Sequence, residues 1–339
     1  KGEKKPEGPF GDHLGYYSLE HDFPVMDVHK VHHRKDAIWH FSVVGRPPQE
    51  DSSFGHMIHQ LVKLLTPQEF PGIKEIKAVD AAGVHPLLLA VGSERYMPFR
   101  ERRPEEILAQ ANRIIGSGQT SLSKYLIIAA EGDGPVTTHD MPSFFHHVLE
   151  RVDWTRDLHF HTKTTIDALD YSGTDCNVGS KVVMACCGPK LRELATELPT
   201  GITLPSGFNN PQLAQPGIVA IEGPAFTGKE SYAQAQQLAD HLSAEQWQNV
   251  PLIVLCNDAS FVQATLNNFL WVTFTRSNPS HDIYGVDSFT EFKHWGCRGP
   301  LIIDARTKPH HAPELVPDAA VSAKVDRLFA KSGSLYGVV

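Results

Sequence analysis

The strongest constraint on this fold is a repeat. An apolar run, Tyr125–Ala130, is followed by a helical stretch, Arg151, the string Asp157-Leu158-His159-Phe160 and Gly179. Leu252–Cys256 is likewise followed by a helical stretch, Arg276, the string Asp282-Ile283-Tyr284-Gly285 and Gly299. The same 125 residues separate Arg151 from Arg276 and Asp157 from Asp282. Upstream, Pro86–Gly92 with the helix opened by Pro104 is echoed by Gly217–Gly223 with a helix around Tyr232–Leu242. Short apolar runs alternating with amphipathic helices predict an α/β fold with a mostly parallel sheet. The repeat makes it two tandem Rossmann-like units joined by a Pro/Gly/Asn-rich linker around Leu198–Pro216.

Strands are expected at Ile73–Val79, Pro86–Val91, Tyr125–Ala130, Asp157–His161, Gly217–Ile221, Pro251–Cys256, Trp271–Thr275 and Leu301–Ala305. The helix after Pro104-Glu105-Glu106 buries Ile107, Ala111, Ile114 and Ile115 and stops at Gly116. A second helix opens at Pro142 and turns Phe145, Val148, Leu149 and Val152 to one side. The chain then divides into residues 1–65 (a linker segment with the first strands), 66–200 and 201–310 (the two units), and 311–339 (a closing helix and tail).

A chain of 339 residues, 41% apolar and 21% charged, is a globular protein rather than a disordered one. Its net charge of −8 argues against nucleic acid or an anionic membrane as partner. No apolar run approaches the length of a membrane span, and no signal-peptide pattern follows Lys1. Five cysteines without CxxC spacing indicate reduced thiols and a cytoplasmic setting rather than a disulfide framework. Cys186 and Cys187, after a Gly179-Ser180-Lys181 turn, should face opposite sides of a strand end.

Gly223-Pro224-Ala225-Phe226-Thr227-Gly228-Lys229-Glu230 nearly spells a phosphate-binding loop. Glu230 stands where the Mg²⁺-holding hydroxyl belongs, Pro224 removes a backbone donor, and the matching turn Gly92–Tyr96 carries no trace of the motif. It reads as a strand–turn–helix junction with Thr227 as a cap. Among nineteen histidines, His29, His32 and His33 look like a solvated strand end, His159 and His161 share one face of a strand, and His310-His311 flank prolines. No set with metal-ligand spacing emerges, so no metal is expected on this chain's own residues.

Pro6-Glu7-Gly8-Pro9-Phe10-Gly11-Asp12 places two carboxylates five residues apart across a segment that cannot be regular helix. Such a loop can be a plain surface turn, or it can bring two acids towards one small volume.

That motif continues through Asp22-Phe23-Pro24-Val25 and Asp36-Ala37-Ile38-Trp39-His40 to Gly45-Arg46-Pro47-Pro48-Gln49-Glu50. With Ser123–Ile128, Asp167-Ala168-Leu169-Asp170, Gly179-Ser180-Lys181, Asp304–Lys308 and Pro317-Asp318, it resembles the UbiD family of prenylated-FMN-dependent decarboxylases. The resemblance implies the C-terminal portion of such an enzyme, with a second α/β copy (about Gly217–Thr307) inserted before the closing helix. The flavin, a divalent metal, potassium and a catalytic arginine would be held by an upstream domain ending before Lys1.

On the same resemblance, Glu7 pairs with that arginine and Asp12 donates the proton that replaces CO₂. Lys124 reaches the cofactor phosphate, while Phe54, Ile128 and Leu169 wall the substrate pocket; each of these three can also be a core residue, and for Ile128 and Leu169 the two readings weigh about equally. The implied substrates are aromatic or α,β-unsaturated carboxylic acids of the 4-hydroxybenzoate type, as in ubiquinone biosynthesis. A flavin prenyltransferase would supply the cofactor, and the enzyme would be a homo-oligomer. A non-catalytic module for assembly and pocket walls is the alternative.

Overall fold

A computed structural model describes residues 2–96, 99 and 101–338. The chain begins with an exposed antiparallel hairpin, β1 (Lys4–Glu7) and β2 (His21–Pro24). An extended, exposed segment leads to α1 (Glu50–Val62) and the short α2 (Thr66–Glu69).

The first unit contains β3 (Ile73–Val79), β4 (Val84–Gly92), α3 (Glu106–Ile115), β5 (Tyr125–Ala130), α4 (Met141–Leu149), β6 (Leu158–Thr164) and β7 (Gly179–Cys186). Its sheet runs β3-β4-β5-β7-β6. β4, β5 and β7 are parallel, and β3 and β6 are antiparallel edges.

The second unit contains β8 (Asn209–Gln215), β9 (Ile218–Glu222), α5 (Tyr232–His241), β10 (Leu252–Cys256), α6 (Ala259–Ala264), α7 (Leu266–Thr275), α8 (Pro279–Asp282), β11 (Ile283–Gly285), β12 (Ser288–Glu291), β13 (His294–Cys297) and β14 (Leu301–Asp304). Its sheet runs β8-β9-β10-β14-β11, again with three parallel central strands between antiparallel edges. The β12–β13 hairpin has no counterpart in the described residues of the first unit. An exposed α9 (Ala319–Phe329) follows.

Strand periodicity sorts the core into layers, because successive side chains face opposite ways. Leu87, Leu89, Tyr125, Ile127, Val182 and Met184 of the first sheet share one core with Ile218, Ala220, Val254 and Ile303 of the second. Phe144 and Phe145 of α4 and Phe269 and Trp271 of α7 lie in this same core, so the two sheets enclose both helices. The outer faces are separate: α3 covers Leu88, Ala90, Leu126 and Ile128, and α5 covers Val219, Ile221, Ile253 and Leu255.

Buried polar groups also join the units. Lys124 Nζ bonds the Ser277 carbonyl at 2.9 Å, the Tyr125 hydroxyl meets Ser277 Oγ at 2.7 Å, and Trp154 Nε1 donates to the Pro251 carbonyl at 2.8 Å.

Several expectations need correction. Trp271–Thr275 is not a strand but the last part of α7, buried throughout. A continuous apolar run has no period, and only the Thr265 cap, whose side chain accepts from the Asn268 amide, marks the helix start. The linker Leu198–Pro216 contains an edge strand, β8. Gly179-Ser180-Lys181 opens β7 rather than forming a turn, and residues around His29 form no strand. Cys186 and Cys187 do fall in different core layers, and all five cysteines are free thiols.

Candidate functional site

Residues 8–20 connect β1 to β2 and dock against both units. Asp12 N–H donates to the Tyr16 carbonyl at 3.0 Å and Gly15 N–H to the Asp12 carbonyl at 2.9 Å, which closes a tight turn. Gly15 has φ +90°, and a Cβ there would lie 3.0 Å from both Arg46 Cα and Trp271 Nε1, so only glycine fits. On one side Trp271 Nε1 donates to the Leu14 carbonyl at 2.8 Å. The Tyr16 ring stacks on Trp271 at 5.2 Å, and its hydroxyl meets Thr275 Oγ1 at 2.7 Å. On the other side the Leu19 amide donates to the Tyr171 hydroxyl at 3.1 Å. The C-terminal segment clasps the loop too: Tyr17 N–H donates to the Pro313 carbonyl and Leu315 N–H to the Gly15 carbonyl.

The turn buries Asp12 to 7% exposure while Glu7 stays exposed on β1. The two acids therefore occupy different environments, and Glu7 makes no ion pair among the described residues. Asp12 Oδ1 accepts from the His13 amide at 2.6 Å and meets His13 Nδ1 at 2.7 Å. Asp12 Oδ2 is buried without a partner among the described residues, as is His13 Nε2. His13 Nε2 lies 3.8 Å from Asp167 Oδ2, and that same oxygen makes a short hydrogen bond with His85 Nδ1. Asp167 Oδ1 accepts from the Leu169 amide at 3.0 Å.

Burial works to lower the pKa of His13, but its hydrogen bond to Asp12 and the charges of Asp12, Asp167 and Asp51 outweigh this and raise it. For Asp167 burial works upwards, and the bonds from His85 and the Leu169 amide overcome it, lowering the pKa. The sequence did not point to His13, His85 and Asp167 as a group because they come from three separate segments. The available signals were His13 beside Asp12 and Asp167 inside the Asp-Ala-Leu-Asp string.

The other expected site residues are dispersed. Lys124 is fully buried, with its ammonium 2.8 Å from Asp170 Oδ2 and 2.6 Å from Ser172 Oγ. Phe54 is 55% exposed on α1. Ile128 faces the outer layer beneath α3. Of the three apolar candidates only Leu169 comes near the acid loop, lining with Leu14, Tyr16 and Tyr171 a hollow of about 10 Å³. The Gly223–Glu230 turn is filled from below by the buried Arg306, which donates to the Pro224 and Ser231 carbonyls.

Residues 1–47 match the family described as the UbiD 3-octaprenyl-4-hydroxybenzoate carboxy-lyase Rift-related domain, and residues 52–186 match the C-terminal domain of the same carboxy-lyase. A protein of Chlamydia trachomatis is 37% identical over 94% of this chain and 52% of its own length. A Chlamydia pneumoniae protein, named as one of the subunits of a 4-hydroxybenzoate decarboxylase, is 35% identical over 96% of this chain and 52% of its own. The chain thus spans about half the length of the curated relatives it matches. Among solved structures, vanillic acid decarboxylase of Sedimentibacter hydroxybenzoicus in closed form is similar at TM-score 0.46 and 18% identity, over 60% of this chain and 41% of that one. With both family domains matched in order along its first half, the chain belongs to the UbiD family.

Proposed function

We propose that this chain is part of a non-oxidative decarboxylase of aromatic or α,β-unsaturated carboxylic acids, with Asp12 as its proton donor. The observation that carries the reading is the asymmetry of the Asp12 carboxyl. His13 holds one oxygen, while the other is buried and unpartnered among the described residues and so is available to carry a proton to substrate. Loss of CO₂ leaves an electron pair on the substrate carbon. A proton from Asp12 Oδ2 completes the C–H bond, and the carboxylate is then reprotonated from solvent. General acid catalysis of this kind contributes roughly 10²–10⁴-fold.

Glu7, exposed on β1, is free to pair with an arginine and hold it towards the substrate carboxylate. The name of the Chlamydia pneumoniae relative favours 4-hydroxybenzoate-type substrates. The Lys124 ammonium does not fit a flavin phosphate, since Asp170, Ser172 and the Ser277 carbonyl occupy it. A prenylated FMN supplied by a flavin prenyltransferase would be held by other residues.

The test is CO₂ release from 4-hydroxybenzoate and related acids by the full-length gene product co-expressed with a flavin prenyltransferase, wild type against Asp12→Asn. Retained turnover in Asp12→Asn would remove Asp12 from the chemistry. Failure of every aromatic and unsaturated acid to release CO₂ would sink the whole reading. The assembly role has its own support in α9, whose Val321, Val325 and Leu328 form an exposed apolar stripe. Light scattering of a variant with these three changed to Ser reads it: an unchanged mass removes that role.

A further inference from the structure

The cluster beside Asp12 has the composition of a cation site. His13, His85 and Asp167 each offer one ligand atom, and the three atoms lie within 4.8 Å of one another. They come from the acid loop, the start of β4 and the loop after β6, and each segment is anchored. Leu14 and Ile166, the neighbours of His13 and Asp167, are buried in the core, and β4 is paired on both sides.

Two further bonds aim the ligand atoms. Asp12 Oδ1 meets His13 Nδ1 and turns the ring so that Nε2 faces Asp167, buried and without a hydrogen-bond partner among the described residues. The Leu169 amide occupies Asp167 Oδ1 and leaves Oδ2 facing both imidazoles. A carboxylate behind a ligating imidazole, fixing its tautomer, is the usual outer layer of a transition-metal site.

We propose that His13 Nε2, His85 Nδ1 and Asp167 Oδ2 bind one divalent transition-metal ion, of the Zn²⁺, Co²⁺, Mn²⁺ or Fe²⁺ class. Two imidazoles and one carboxylate suit these ions better than Mg²⁺ or Ca²⁺, which favour all-oxygen sets. The ion replaces the direct His85–Asp167 hydrogen bond. Side-chain rotation of the partly exposed His85 opens the ligand atoms to metal–ligand lengths of roughly 2.0–2.2 Å. Three protein ligands leave a position for water. The bound ion sits one imidazole away from Asp12, so it stabilises the acid loop independently of whether Asp12 donates a proton.

Titration of the chelator-treated chain with Co²⁺, followed by visible absorption, tests this without reading activity. One Co²⁺ per chain is expected. His85→Ala and Asp167→Asn should each weaken binding by more than the roughly 10–100-fold that loss of an outer partner costs, and Asp12→Asn by an amount within that range. The double variant His32→Ala/His33→Ala, at the exposed histidine string, should bind as wild type. No absorbance change up to millimolar Co²⁺, or binding lost in the His32/His33 variant and kept in His85→Ala, overturns the proposal. Circular dichroism checks that each variant folds. Anomalous scattering at the cobalt edge from wild-type crystals asks the same question without substitution: a peak among the three side chains supports the site, and its absence from there at saturating Co²⁺ refutes it.

Discussion

The two α/β units share a strand order but not a chemistry. Both sheets place three parallel strands between antiparallel edges, and both put Asp157 or Asp282 just before an edge strand. The first unit meets the acid loop with ionisable groups, His85 and Asp167. The second meets it with Trp271, Thr275 and Arg276: an aromatic ring, a hydroxyl and a guanidinium that donates to the Tyr16 hydroxyl at 3.2 Å. Aligning Gly92 with Gly223 puts Pro216 opposite His85, and 125 residues beyond Asp167 stands Phe292, exposed at the tip of the β12–β13 hairpin. Duplication therefore reproduced the scaffold, while the first copy brings a histidine and an aspartate to the loop and the second brings the ring, hydroxyl and guanidinium that hold it in place.

The sharpest test of this division is catalytic. Asp12→Asn should lower turnover of the flavin-loaded full-length enzyme by about 10²–10⁴-fold. Trp271→Phe, which removes one hydrogen bond while keeping the stack, should cost far less. Equal losses in steady-state assays would show that the second unit does more than position the loop.

Next in size is the lysine that the first copy carries where the second has Pro251. Lys124→Met leaves Asp170 buried at 2% exposure without its cation, a loss of about 3–5 kcal/mol. The double variant Lys124→Met/Asp170→Asn should recover part of it in urea unfolding. If the single and double variants unfold alike, the ion pair is not what Lys124 contributes.

A smaller effect links the two aspartates that the repeat equates. Burial pushes both Asp157 and Asp282 up to about 6. Raised acids bind protons better folded than unfolded, so stability falls as pH rises from about 4 to 6 and is level above that. For Asp157 the change is up to about 3 kcal/mol, with the opposing pull of Arg156 already included. Asp157→Asn and Asp282→Asn should each flatten thermal stability across this window. A slope that survives both substitutions would assign it to other groups. Smallest of all, Glu7→Gln should change stability by no more than about 0.5 kcal/mol, because Glu7 is exposed. A larger shift in unfolding midpoint would reveal a contact beyond the hairpin.

Much of the fold was legible because β4, β5, β9, β10 and β14 stand out as apolar runs and Pro104, Gly116 and Pro142 mark the helices of the first unit; the central strand β7 was not, because its Gly179-Ser180-Lys181 opening reads as a turn. Trp271–Thr275 was not, because a helix buried on every side carries no period to separate it from a strand. β8 was hidden by its half-exposed, polar sequence Asn209–Gln215. At the site, Asp12 could be read from its own loop, whereas His85 and Asp167, 82 residues apart, gain meaning only from the sheet that brings them together. Lys124 illustrates the opposite failure: a cation in a recognisable motif looked like a ligand, and the fold uses it to join two units.

The clasp between the acid loop and the C-terminal segment bears on how this protein reaches its native state. Contacts such as Tyr17 with Pro313 and Gly15 with Leu315 close nearly the longest loops the chain can form. Closing them becomes productive only once both sheets exist to hold the ends near each other. The Tyr17 amide should therefore gain protection last in pulse-labelled hydrogen exchange, after the amides of β5 and β10. Early protection there would mean that the clasp guides assembly. With late protection, a chain that has misassembled either sheet never buries its acid.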